Sequence, residues 1–176
     1  LNGTSCIDLE EVSPPKQEIV CSRSFGIKVT SLIDLEESVS LYISRAAEKL
    51  RRQNSYAGSV SVFINTSRFA EPKDNYFNML RIPLPTQTAS TIVLTKAALW
   101  GLRKIYRRGF KYQKAGVMLS DFVDAQTRQI DMFGLSPISN KENLMAVIDN
   151  INDRMGKNTI RLASQGIKQS WSMRRE

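Results

Sequence analysis

Between Lys16 and Gly26 the chain reads KQEIVCSRSFG, which sets Ser22, Arg23 and Ser24 after the apolar run Ile19, Val20, Cys21 and just before Phe25 and Gly26. Two hydroxyls, a guanidinium and a glycine this close together let a backbone approach an anionic chain and meet its oxygens with N–H groups and a cation. A strand that merely ends in a polar turn would read the same way, so the segment takes its meaning from its surroundings. Other chemistry is sparse. The 176 residues include no histidine, which removes Ser-His and Cys-His catalysis, imidazole bases and most zinc sites. Cys6 and Cys21 lack metal-type spacing and fit a reducing compartment. No paired carboxylates form a metal site and no glycine-rich phosphate loop is present, so no catalytic residue is assigned and an independent hydrolase is the most distant reading.

Charge points the same way as the opening motif. A formal net charge of +8 and a sequence pI of about 9.7 call for a polyanionic partner, nucleic acid first and an acidic protein or membrane surface second. With 41% hydrophobic residues the chain builds a real core, as one domain with an appendage or as two small units. No apolar run is long enough to cross a membrane, and the N-terminus lacks a signal-peptide pattern. The start at Leu1 without methionine reads as a piece of a longer protein.

The elements that must position these residues follow from periodicity. Residues 1–16, acidic at Asp8, Glu10 and Glu11 and closed by Pro14 and Pro15, read as a linker. A strand over 16–30 follows, and Ser31 is placed to cap a helix, with Asp34 three residues on as in a capping box. Leu35, Val39, Tyr42, Ile43, Ala46 and Leu50 define that helix's buried face; Glu37, Ser44, Glu48, Arg51 and Arg52 define a solvated one. From Ala57 the period becomes two, with Val60, Val62 and Ile64 inward and Ser59, Ser61, Phe63 and Asn65 outward. After a loop at 71–74, Leu80, Ile82 and Leu84 alternate with Met79 and Arg81 in a strand that Pro83 and Pro85 confine to an edge or bring to a stop. A second helix over 88–108 carries the stripe Leu94, Ala97, Ala98, Leu102 and Ile105. Its basic end, Arg103, Lys104, Arg107 and Arg108, complements the helix dipole before Gly109 closes it. A last strand over 112–121 sets Ala115, Val117 and Leu119 against Lys114, Gly116, Met118 and Ser120.

The order strand-helix-strand-strand-helix-strand predicts an α+β fold, a four-stranded antiparallel sheet with both helices on one face. The other face, with Ser59, Ser61, Asn65, Arg81 and Lys114 and few apolar groups, suits phosphate oxygens. An RNA-recognition domain has the same order but stacks bases on aromatics. Here Phe63 is the one aromatic expected on that face and the string KGFGFV is absent, so that rival is minor.

Four strings carry a resemblance: KQEIVCSRSFG, RAAEKLR (Arg45 to Arg51), YQKAGVMLSDF (Tyr112 to Phe122) and QGIKQSWSMRR (Gln165 to Arg175). Their content and order are similar to the C-terminal part of bacterial Y-family translesion DNA polymerases of the UmuC type, the polymerase V family of the SOS response. The resemblance implies a little finger domain over 17–125 after a linker, 1–16, from the polymerase core. It also implies a second linker over 126–139, a C-terminal extension over 140–176, and a cytoplasmic, nucleoid-associated setting. It assigns Ser22, Arg23, Ser24 and Gly26, with Gln113, Lys114, Gly116 and Arg81, to the phosphates of primer-template DNA. Such contacts carry no base code. The family's catalytic carboxylates hold Mg2+ in a palm domain that this chain lacks, so no cofactor is expected in it and no polymerisation by it alone.

Gln129, Ile130, Asp131, Met132 and Phe133 are similar to the pentapeptide with which bacterial polymerases dock on the sliding β clamp. A glutamine amide anchors such a peptide at one end and two apolar side chains fill a pocket. Beyond it, Asn140 is placed to cap a helix with Leu144, Val147, Ile148, Ile151 and Met155 on one side, ended by Gly156. Thr159 to Ile167 reads as a short strand or hook, and Trp171 stands in a basic tail. The resemblance associates this region with the cleaved UmuD dimer and the RecA filament, without assigning residues to either. The alternative reading is an interaction scaffold for these two partners, with incidental basic charge.

Overall fold

The computed structural model describes residues 16–125 and 138–173, the side chains of 138–142 excepted. Seven principal elements run in the order β1 (Ile19–Val29), α1 (Leu32–Arg52), β2 (Ser55–Thr66), β3 (Phe77–Thr88), α2 (Thr91–Ile105), β4 (Tyr112–Asp124) and α3 (Ile138–Met155). The strands form one sheet in the order β1-β4-β2-β3, antiparallel throughout. This is the expected α+β arrangement of two strand-helix-strand halves. Val60, Val62 and Ile64 of β2 and Ala115, Val117 and Leu119 of β4 all point into the core. There they meet Leu35, Val39, Ile43 and Leu50 of α1 and Leu94, Ala98 and Leu102 of α2. Alternation along the strands and a 3.6-residue stripe along the helices therefore converge on one layer.

β3 is an edge strand, as its prolines require, but it does not stop at them. It continues to Thr88 with its register shifted between Ser59 and Ala57 of β2, an irregularity that absorbs the missing proline donors. α2 is shorter than its sequence pattern. It ends at Ile105 because Tyr106 is extended and its hydroxyl donates to the Thr30 carbonyl, while the Arg107 N–H is taken by the Tyr112 hydroxyl. Arg107 and Arg108 consequently lie in the turn, and Gly109, at φ 98°, serves the approach to β4 rather than closing the helix. Ser31 does precede α1, yet its side chain makes no capping hydrogen bond.

The larger departure lies in the C-terminal region. α3 begins at Ile138, so Asn140 lies inside it. Leu144, Val147 and Met155, expected on its buried side, are exposed, and Met145 is buried instead. The surface of α1 that reads as solvated is what α3 and the following segment cover. The Arg51 guanidinium grips the Asp149 carboxylate with bonds of 2.6 and 2.8 Å and also donates to the Ala89 carbonyl and Thr91 hydroxyl. Arg52 pairs with Asp153, the Gln165 amide donates to Ser44 at 2.7 Å, and the Trp171 indole donates to Glu37. Residues 159–167 contain no strand; their regular piece is a single 3-10 turn, Ala163–Gln165.

Trp171 holds no free tail. It is 2% exposed, edge-on to Phe25 and Tyr42 with ring centroids 5.9 and 6.1 Å away. The Trp171→Ala variant of the full chain should lose about 3–5 kcal/mol of stability, the usual range for a buried aromatic. Urea unfolding followed by far-ultraviolet circular dichroism measures this. A loss below about 1 kcal/mol, the level of an ordinary surface change, would show that the segment does not pack on β1 and α1 in solution.

Candidate nucleic-acid interface

With both helices on one side, the register dictates which side chains share the other. Ser24, Lys114, Asn65 and Phe77 form one row across the sheet, and Ser22, Gly116, Phe63 and Met79 the next. Val20, Met118, Ser61 and Arg81 follow, then Ser120, Ser59 and Pro83. The rows bring four of the eight expected DNA contacts, Ser22, Ser24, Lys114 and Gly116, onto adjacent strands. A glycine at 116 is required by space: a Cβ there would strike the Phe63 ring and the Ser22 Cβ, so the ring lies across the backbone of β4. The face is also less polar than its sequence pattern, because Val20, Phe77 and Met79 are exposed on it beside Phe63.

Arg81 reaches this face already partnered. Its Nε donates to the Ser59 hydroxyl at 3.2 Å, and its Nη2 pairs with Asp121 at 2.5 Å. Ser59 in turn lies 2.7 Å from the Ser120 hydroxyl. The Arg81 guanidinium first, and the Ser59 hydroxyl after it, hold the Asp121 carboxyl below its ordinary range. Asp121 has a left-handed backbone, φ 57°, at a position whose parity would otherwise send its side chain toward the helices. Ser59 and Ser61, expected at an exposed face, are fully buried within this network and the neighbouring rows.

Three expected contacts are placed elsewhere. Arg23 pairs in register with Ala115 and therefore points to the helix side, where it lines a cleft with Arg45. The Gly26 N–H donates to the Trp171 carbonyl at 3.0 Å, so that amide is not available to a phosphate. Gln113 is the extra residue of a bulge in β4, since Asn65 faces Lys114 while Thr66 faces Tyr112; its side chain is exposed. Lys114 has no ion pair among the described residues. The pentapeptide Gln129, Ile130, Asp131, Met132, Phe133 lies outside the described residues. No group of three or more metal-ligating side chains occurs among the described residues, and no helix there is long and apolar enough to cross a membrane.

A family model described as the impB/mucB/samB family C-terminal domain matches residues 16–132. The chain belongs to the impB/mucB/samB family. Residues 142–176 match a second model, described only as a domain of unknown function. The protein UmuC of Salmonella typhimurium is 44% identical over 177 residues, covering all of this chain and 42% of that protein. The chain thus spans about two fifths of the length of the curated relatives it matches. Among solved structures, an insertion ternary complex of Dbh DNA polymerase matches with a TM-score of 0.46 and 16% identity, over 64% of this chain and 31% of that one. A complex of a beta-clamp processivity factor and the little finger domain of PolIV matches with a TM-score of 0.43 and 13% identity, over 67% of this chain and 99% of that one.

In this impB/mucB/samB domain the sequence missed Asp121, Phe77 and Met79 as members of the open face. Phe77 and Met79 share the parity of Arg81, which was the available signal; the left-handed turn at Asp121 has none. The Arg81–Asp121 pair can be tested by pH. A depressed carboxyl stabilises the fold above the unfolded value of about 3.9 and loses that contribution as pH falls through the lower folded value. Arg81→Ala should move the Asp121 titration up into the ordinary carboxylate range, read by carboxyl carbon NMR. Its stability should also converge with wild type in acid. An unmoved Asp121 titration would break the assignment.

Proposed function

We propose that this chain is the DNA-holding and clamp-docking part of an error-prone translesion polymerase serving DNA repair in the SOS response, one that grips primer-template phosphates without reading sequence. The observation that supports this best is the pair of rows Ser24–Lys114 and Ser22–Gly116 on the open face: small hydroxyls on β1 beside a cation without an ion-pair partner among the described residues, while Gly116 itself is buried beneath the Phe63 ring. Small side chains let a phosphate chain come close, and the cation supplies a salt-sensitive attraction that no base identity alters. Arg81, bound to Asp121 and Ser59, is a positioning residue for the face rather than a free cation. Polymerisation and its Mg2+ belong to parts of the parent enzyme outside this chain. The pentapeptide 129–133 is proposed as the anchor for the sliding β clamp, on its Gln-Ile-Asp-Met-Phe pattern.

A second reading keeps its own support. Leu144, Val147 and Met155 of α3 are exposed on a helix that packs by its other side, which is the kind of surface an interaction scaffold for UmuD or RecA would use.

The two readings part on Lys114. Under the DNA-holding reading, Lys114→Ala should weaken binding to primer-template duplex about tenfold, equally for unrelated sequences, and reduce the slope of log affinity against log salt by about 1. Binding at low salt no stronger than that of a neutral control protein would sink the reading. For the anchor, the Met132→Ala/Phe133→Ala double variant should lose clamp binding in surface plasmon resonance while its thermal unfolding is unchanged. Unchanged clamp affinity would remove the pentapeptide from the proposal.

A further inference from the structure

On the helix side of the sheet, opposite the open face, a cleft of about 430 Å³ lies between α1 and the returning C-terminal segment. Arg23 of β1 and Arg45 and Lys49 of α1 line it, as do Lys157 and Arg161 from the C-terminal segment. None of these five is in an ion pair among the described residues. The remaining charges of the cleft are two arginines and three carboxylates, Arg51 with Asp149 and Arg52 with Glu48 and Asp153, so the cleft as a whole stays strongly positive. Leu41, Met145, Ile148 and Leu162 give the cleft an apolar lining.

Cations of one sign gathered around a concave surface with apolar walls focus their field on whatever enters. We propose that this cleft binds a single strand of nucleic acid, with phosphates on the five cations and bases against the apolar lining. The volume is too small for a duplex and takes only a short stretch of a strand at a time. Arg45 and Lys49 stand one helical turn apart, about 6 Å along the axis, which lets them meet successive groups of an extended backbone. The choice of nucleic acid over another polyanion rests on the DNA-holding reading, in which the chain meets unpaired template as well as duplex; the cleft, on the opposite side of the sheet, is a second and separate surface. Arg23, assigned by its sequence to the duplex, belongs to this second surface. The site also gives a role to part of the region matched to a domain of unknown function, since Met145 to Gln165 supply one wall of the cleft.

The test uses the full chain and two probes, a 12-nucleotide oligo-dT and a blunt duplex, in fluorescence anisotropy at low salt. Arg45→Glu/Lys49→Glu should weaken oligo-dT binding at least tenfold and leave duplex binding within twofold; Lys114→Ala should do the reverse. Lys157→Ala/Arg161→Ala, two exposed truncations that leave α1 intact, should reduce the oligo-dT salt slope by about 1.4. Loss of duplex binding on Lys114→Ala with oligo-dT untouched by either cleft variant would overturn this proposal and leave the duplex reading standing. The opposite pattern would overturn the duplex reading and leave the cleft. Displacement of oligo-dT by an equal charge of poly-glutamate as effectively as by unlabelled oligo-dT would also overturn it, in favour of an acidic peptide.

Discussion

The antiparallel pairing of β1 with β4, from Ile19–Leu119 to Ser24–Lys114, ties the first strand of the fold to the last. It joins two strand-helix-strand halves into one sheet and leaves both helices on the same side. A sheet covered on one face must either solvate the other or offer it to a ligand. The same pairing decides the chemistry of that face, because it sets Ser22 beside Gly116 and Ser24 beside Lys114. Up to Ser24, every residue on β1 then has a side dictated by parity. Ser22 and Ser24 go to the open face, while Ile19, Cys21 and Arg23 go to the helices.

That parity explains what the sequence made legible. The buried face of α1 and the inward residues of β2 and β4 are regular enough that periodicity alone picks them out, and the fold follows from their order. Arg23 was grouped with its serine neighbours on composition, although a period of two already separates it from them. The C-terminal region was a harder problem. α3 carries two apolar lines, Leu144–Val147–Met155 and Met145–Ile148, and local pattern cannot rank them. The ranking comes from Asp149 and Asp153, which meet Arg51 and Arg52 about a hundred residues away in sequence. Trp171 was illegible for the same reason, since its partners Phe25, Glu37 and Tyr42 lie far upstream.

The returning segment changes the meaning of β1 as well. Phe25 and Gly26 lie where the register between Ser24 and Val29 is irregular, and the backbone there is held by the Trp171 carbonyl rather than by a neighbouring strand. A Cβ at Gly26 would press on the backbone of Met173 and Ser172, so the glycine admits the C-terminal segment and not a ligand. The sequence KQEIVCSRSFG therefore does three things within eleven residues. Its serines serve the open face, its arginine serves the cleft, and its last two residues hold the segment around Trp171.

Charge is divided along the same line. On the open face the one arginine is quenched by Asp121 and Ser59, leaving Lys114 as the cation of the central rows. On the helix side, two arginines fasten α3 to α1, and beside them three more arginines and two lysines share one cleft with no ion pair among the described residues. Exposed pairs such as Arg52–Asp153 contribute little stability by themselves. Arg51 is different: its side chain is 17% exposed, it holds Asp149 by two bonds, and it reaches the start of α2 through Ala89 and Thr91. One guanidinium thus connects α1, α2 and α3. The cations of the cleft are held close by packing they do not themselves supply, which is the condition under which uncompensated charge becomes a binding surface instead of a fault in the fold.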